Sequence, residues 1–249
     1  MLKSRLCIAF FAFAVGCAPA QKPLTDYVNP MLGTATLWDS VDLGFKPTKR
    51  TWGAEVFPGS SLPNAMVQVS PVTKFHSGAG YQYEDSVIYG FTHTNKGHWN
   101  LCHIPLLPVT GTPTPGDYCS PFSHERESAA PGYYQVFLDR YGVDAQLSST
   151  LRCAFHKYTY PAGAAPAVLA DLQRSNEHVR AWDIRKEGDN VFAGWQQTGE
   201  KMYFYAVANR PVTGIEPVVE GDREVRIVRF GEGDGALELR IGFSFVSEK

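Results

Sequence analysis

The chain has 249 residues, with 23 Lys and Arg against 25 Asp and Glu, a net charge of −2 and 44% hydrophobic residues. Charges of both signs are scattered, so the basic footprint of a nucleic-acid-binding protein is missing. The length fits one large all-β domain or two small ones.

The first element in chain order is an export signal over residues 1–20. Lys3 and Arg5 give a basic start, and residues 6–15 form an unbroken apolar run. A run of about ten apolar residues falls well short of the roughly twenty that a spanning helix needs. Two exits compete. Ala18-Pro19-Ala20 is the small-x-small pattern of cleavage before Gln21. Ala14-Val15-Gly16-Cys17 instead resembles a bacterial lipobox, in which Cys17 is lipidated, although Leu is usual where Ala14 stands. Either exit predicts an exported protein, periplasmic, secreted or held at the outer membrane by a lipid. No later segment is apolar enough to span a bilayer.

Downstream, period-two alternation dominates and helical periodicity is almost absent. Strands are predicted at residues 66–70, 133–138, 157–160, 168–171, 202–207, 225–230 and 237–245. In the last of these Leu237, Leu239, Ile241, Phe243 and Phe245 share one face, and the glycine-rich run at 231–235 predicts a hairpin with the strand before it. The 23 Gly and 17 Pro suit many short strands with tight turns. No internal repeat is visible. The fold expected is an antiparallel β-sandwich over residues 21–249. Residues 125–249 read as plain strands with solvated turns. Residues 29–124 carry long aromatic-rich loops, the kind that build a binding or docking surface. Cys102, Cys119 and Cys153 follow the leader, and export permits one disulfide among them without indicating which. No spacing suggests zinc.

Within those loops a resemblance becomes specific. YVNPMLGT (27–34), FPGSSLPNAMVQVSP (57–71) and GYQYEDSVIYGFTHT (80–94) resemble, in order, the YVNPFIGT, FPGATLPFGMVQLSP and GYHYDDSTILGFSHTH blocks of glycoside hydrolase family 92. SHERE (123–127) with PGYYQV (131–136), Arg152 with HKYTYP (156–161), and GFSFVS (242–247) continue the series. The resemblance implies an N-terminal β-sandwich of an exported, calcium-dependent exo-α-mannosidase that works by inversion on mannose-containing glycans. It also implies that the catalytic carboxylates and calcium ligands belong to a C-terminal (α/α)6 barrel, so that neither is expected in this chain. A stand-alone carbohydrate-binding module and an inactive remnant are the alternatives. At residues 95–103 the chain reads NKGHWNLCH where the family commonly continues with Leu-Ser-Gly, and residues 37–51 are longer than usual.

The candidate substrate-binding residues are Asp85, His93, His98 and Trp99. A pyranose stacks its apolar face on an exposed ring and needs fixed hydrogen-bond partners, which His93, Asp85 and Asn100 supply in this reading. Trp99 serves either sugar stacking or domain packing, and Trp52 is assigned to packing. His93, His98 and His103 recur every five residues, which places them on one face of neither a helix nor a strand, so no metal site is expected. Glu84 and Asp85 are adjacent and point to opposite faces of a strand. Glu125 and Glu127 lie on one element, whereas an inverting dyad flanks its substrate with carboxyls about 6.5–9.5 Å apart. No nucleophile motif, phosphate loop or dinucleotide fingerprint is present.

Overall fold

A computed structural model describes residues 22–37, 44–46, 55–97 and 100–248. Short strands come first: β1 (Ser60–Ser61), β2 (Gln68–Val72), β3 (Val87–Ile88), β4 (Gly90–Thr92), β5 (Asn95–Lys96), β6 (Asn100–Leu101), β7 (Leu106–Val109) and β8 (Ser120–Pro121). Longer ones follow: β9 (Glu127–Ala130), β10 (Tyr133–Leu138), β11 (Val143–Ser149), β12 (Cys153–Thr159), β13 (Ala167–Ala170), β14 (Ala181–Gly188), β15 (Val191–Gln197), β16 (Lys201–Ala208), β17 (Val212–Glu220), β18 (Arg223–Phe230) and β19 (Leu237–Ser244). Among the described residues the helical content is two short 3-10 turns, Leu24–Tyr27 and His124–Arg126.

The strands form a seven-stranded sheet, β1-β2-β4-β7-β13-β18-β17, and an eight-stranded sheet, β14-β15-β16-β19-β12-β11-β10-β9. Every pairing within them is antiparallel. One hydrophobic cluster joins the two sheets face to face, so the expected sandwich is the fold. Alternation decides which face is inward. Along β10 and β19 buried residues alternate with partly solvated ones, so Tyr134, Val136 and Leu138 meet Leu237, Leu239 and Ile241 in the core. Each large side chain buried in this way contributes about 1.5–3 kcal/mol. Ser60 on β1 and Ser149 on β11 add a buried hydroxyl pair between the sheets, 2.8 Å apart.

The predicted hairpin at 225–245 does not form. β18 pairs with β13 and β17, whereas β19 pairs with β12 and β16, so the glycine-rich segment carries the chain from one sheet to the other. Both strands alternate because each gives one face to the same core, and that pattern is equally compatible with pairing or with facing. The backbone N–H of Gly231 donates to Pro211 O, and Arg210 donates to Gly235 O, which fixes the crossing. Cys102, Cys119 and Cys153 are all free thiols, and burial pushes that of Cys102 up to about 12.

Gly59 shows why one sequence block is spelled as it is. A Cβ there would lie 1.9 Å from Val69 O, so only glycine lets the chain cross β2 at this distance.

Candidate functional site

The irregular segments of the first half converge with a loop of the second. His103 is the hub, only 3% exposed. Its Nδ1 lies 2.8 Å from Thr94 Oγ1, and its Nε2 lies 2.9 Å from Thr198 Oγ1. Thr198 in turn donates to Glu177 Oε2 at 2.6 Å, and a carboxylate only accepts. The hydroxyl of Thr198 must therefore accept from His103 Nε2–H, which leaves Nδ1 to accept from Thr94. A one-way relay results: Thr94 to His103 to Thr198 to Glu177. Burial holds the His103 imidazole below its usual range, with the negative Glu177 opposing that shift.

The relay ties loops together. Glu177 Oε1 accepts from the N–H of Leu101, and Leu101 O accepts from Asn176 N and Ser175 Oγ. Asn176 also binds His76, accepting from its backbone N–H at 2.7 Å. Asn95 Nδ2 donates to Ala79 O at 2.8 Å. Non-glycine residues adopt left-handed backbone here at His76, Leu101, Cys102 and Ile104, with φ between 55° and 63°. Each such residue costs on the order of 1–3 kcal/mol and persists only where its surroundings over-determine it, a pattern that marks functional sites.

Of the residues singled out from sequence, His93 adjoins this knot from the core side. It is fully buried, with Nδ1 donating to Ile104 O at 2.8 Å and Nε2 facing His156 Nε2 at 3.1 Å. Both ring nitrogens are spent inside the protein. Burial lowers its pKa to about 3. His156 is also held well below its usual range, by burial and by the neighbouring His93. Asp85 is half-buried and accepts from Thr73 Oγ1 at 2.8 Å. His98, Trp99, Trp52 and Cys17 lie outside the described residues.

Three acidic residues of the matching blocks, Glu84, Asp85 and Glu127, have side-chain hydrogen bonds. Glu84 accepts from the backbone N–H and the hydroxyl of Thr36. Glu127 accepts from Tyr81, Tyr134 and His124, the last at 2.6 Å. Burial and the Glu127 charge together push both tyrosine hydroxyls up. His124 stacks on Tyr83 with centroids 3.9 Å apart and bonds Tyr83 O, so the SHERE block clamps the loop that carries Asp85. Among the described residues no three His, Cys, Asp or Glu side chains converge as a group that could hold a metal ion.

The sequence reading missed Asn176, Glu177 and Thr198. Residues 172–180 differ from the solvated turns expected in this half, because Leu172, Ser175 and Asn176 are buried. The polar run from Gln173 to Glu177, longer than a tight turn needs, was the available signal.

Residues 27–244 match the glycosyl hydrolase family 92 N-terminal domain. Among solved structures, the chain is similar to the family 92 α-mannosidase BT3965 of Bacteroides thetaiotaomicron, with 24% identity and a TM-score of 0.78, over 92% of this chain and 34% of that one. It is also similar to the family 92 inverting mannosidase BT2199 of Bacteroides thetaiotaomicron VPI-5482, with 23% identity and a TM-score of 0.72, over 91% of this chain and 32% of that one. For the family 92 glycosyl hydrolase ccman5 the identity is 25% and the TM-score 0.63, over 76% of this chain and 30% of that one. The chain thus spans about a third of the length of the solved structures it matches. No curated protein matches it.

Proposed function

Because the chain belongs to glycosyl hydrolase family 92 through its N-terminal domain, we propose that it lines the substrate mouth of an exported, calcium-dependent, inverting exo-α-mannosidase. The substrates are mannose-containing glycans of the N-glycan or mannan type. The observation that carries the proposal is the loop knot, where residues 73–80, 94–97, 100–104, 175–177 and Thr198 are locked by side-chain hydrogen bonds and left-handed backbone. Such a surface positions a ligand or a partner domain rather than reacting itself. Inversion needs one carboxylic acid to protonate the leaving oxygen and one carboxylate to activate water on the opposite face. In this chain Glu84, Asp85, Glu127 and Asp171 are committed to internal hydrogen bonds or ion pairs, which supports placing that pair on a helical partner domain. Calcium belongs with that domain, where it would help hold the terminal mannose. Export through residues 1–20, with Cys17 as lipid anchor, completes the proposal.

The test compares the purified chain with the same chain joined to a family 92 helical domain, using α-1,2-mannobiose. Calcium-dependent release of mannose in the β configuration is expected only from the joined protein. Release by the isolated chain would overturn the assignment of catalysis to the partner domain. Mass spectrometry of the exported protein reads whether Cys17 carries a lipid.

A further inference from the structure

Beside the knot lies a cleft of about 690 Å³, walled by residues 173–175 and 177–183 and by His76, Arg223, Glu224 and Arg226. Its charges cancel. Arg174, Arg180, Arg223 and Arg226 are matched in number by Glu177, Asp183 and Glu224 on the wall and Asp171 beneath. This balance leaves no excess to attract an anion, and so many ionic groups leave no apolar bed for a hydrophobic ligand. They offer planar donors and acceptors beside one large ring, that of the half-buried Trp182, with the Arg226 guanidinium 5.2 Å from its centroid. A pyranose has the complementary surface, hydroxyls around its edge and an apolar C–H face.

Two wall residues are set for such a ligand. Glu177 is held from behind by Thr198 and by the N–H of Leu101, and its side chain remains 30% exposed. Its remaining lone pairs are fixed before a ligand arrives, which lowers the ordering cost of binding. Arg180 is exposed, and its guanidinium has no hydrogen-bond or ion-pair partner among the described residues. Under the wall, Asp171 is completely buried, yet its Oδ1 has no hydrogen-bond partner, and neither has the buried Arg223 Nε.

We propose that this cleft is a saccharide-binding site for a neutral mannose-type glycan, a reading that rests on the family assignment and adds a site to it. Glu177 accepts from sugar hydroxyls, Arg180 donates to them, and Trp182 lies against the C–H face.

The purified chain is titrated with α-1,2-mannobiose, and with cellobiose as control, by calorimetry and two-dimensional NMR. Mannobiose is expected to bind with a Kd on the order of 1 mM and to shift the indole signal of Trp182. Glu177→Gln and Arg180→Ala are each expected to weaken binding about fivefold or more, with unchanged circular dichroism. Arg180 has no internal bond to lose, so its variant separates binding from folding. Equal binding by wild type and both variants would overturn the cleft assignment and leave the family reading untouched. No binding at about 20 mM would also overturn it. Calcium-dependent mannose release by the joined protein would then show that the family reading survives alone. Equal affinity for cellobiose would remove the mannose assignment.

Discussion

His93 and His156 meet in the core with their Nε2 atoms 3.1 Å apart, and the surrounding acceptors and donors determine both tautomers. Ile104 O can only accept, so His93 carries its proton on Nδ1 and offers a bare Nε2. His156 must then donate from Nε2 and accept on Nδ1 from the Tyr158 hydroxyl. Neither ring has a place for a second proton.

The first prediction concerns acid. Burial depresses the folded pKa of His93 to about 3 and that of His156 well below normal. The unfolded chain takes up these protons near pH 6.5 while the folded chain does not, so stability falls as pH drops below that value. The expected slope is roughly 1.4 kcal/mol per pH unit for each histidine, continuing for His93 until pH approaches its folded value. Urea midpoints measured between pH 7.5 and 4.5 check this, and a flat profile would count against the buried neutral pair.

Tyr158→Phe removes the hydroxyl that donates to His156 Nδ1 while keeping the ring. The unfolding free energy should fall by about 1–3 kcal/mol, the cost of one unmatched buried acceptor. Chemical denaturation at pH 7.5 reads it directly.

Glu127→Gln tests whether the SHERE block is chemical or architectural. Its buried carboxylate accepts from Tyr81, Tyr134 and His124, and an amide turns one acceptor oxygen into a donor facing donors. A loss of about 2–3 kcal/mol in stability is expected. In the protein joined to a helical domain, turnover per folded molecule should be unchanged, whereas a catalytic Glu127 would lose turnover without losing stability.

Gly59→Ala places a methyl group 1.9 Å from Val69 O, which neither atom can relieve without moving the backbone. A drop of more than about 3 kcal/mol is expected, read as a lower urea midpoint or as loss of soluble protein. A drop below about 1 kcal/mol would show that this crossing yields more easily than the geometry indicates.

Thr198→Val removes both the acceptor for His103 and the donor to Glu177. Stability should fall by about 1–3 kcal/mol. The amide of Leu101, more than ninety positions away in sequence, should exchange its proton faster because its acceptor Glu177 is loosened.

The sandwich was legible because alternation in β10, β16 and β19 records burial on one face, and burial on one face is what a sheet in a sandwich requires. The same signal does not say which sheet a strand joins, and so the hairpin at 225–245 was misread. The knot was illegible for a different reason. Thr94, His103, Glu177 and Thr198 are brought together by tertiary contacts with no period, and each is unremarkable among its sequence neighbours. Of the family blocks, 57–71 lies outside the knot and 80–94 reaches it only at its ends, and the ring of His93, read from sequence as a substrate contact, is enclosed by Ile104 and His156.

The direction of the Thr94–His103–Thr198–Glu177 chain has a mechanical consequence. Each proton points along the series because the carboxylate at its end cannot donate, so no single hydroxyl reverses without stranding its neighbour. Segments that a ribbon drawing would show as separate flaps are thereby geared together. A load placed on Glu177 is passed through Thr198 and His103 to Thr94, so loops following strands of both sheets share it.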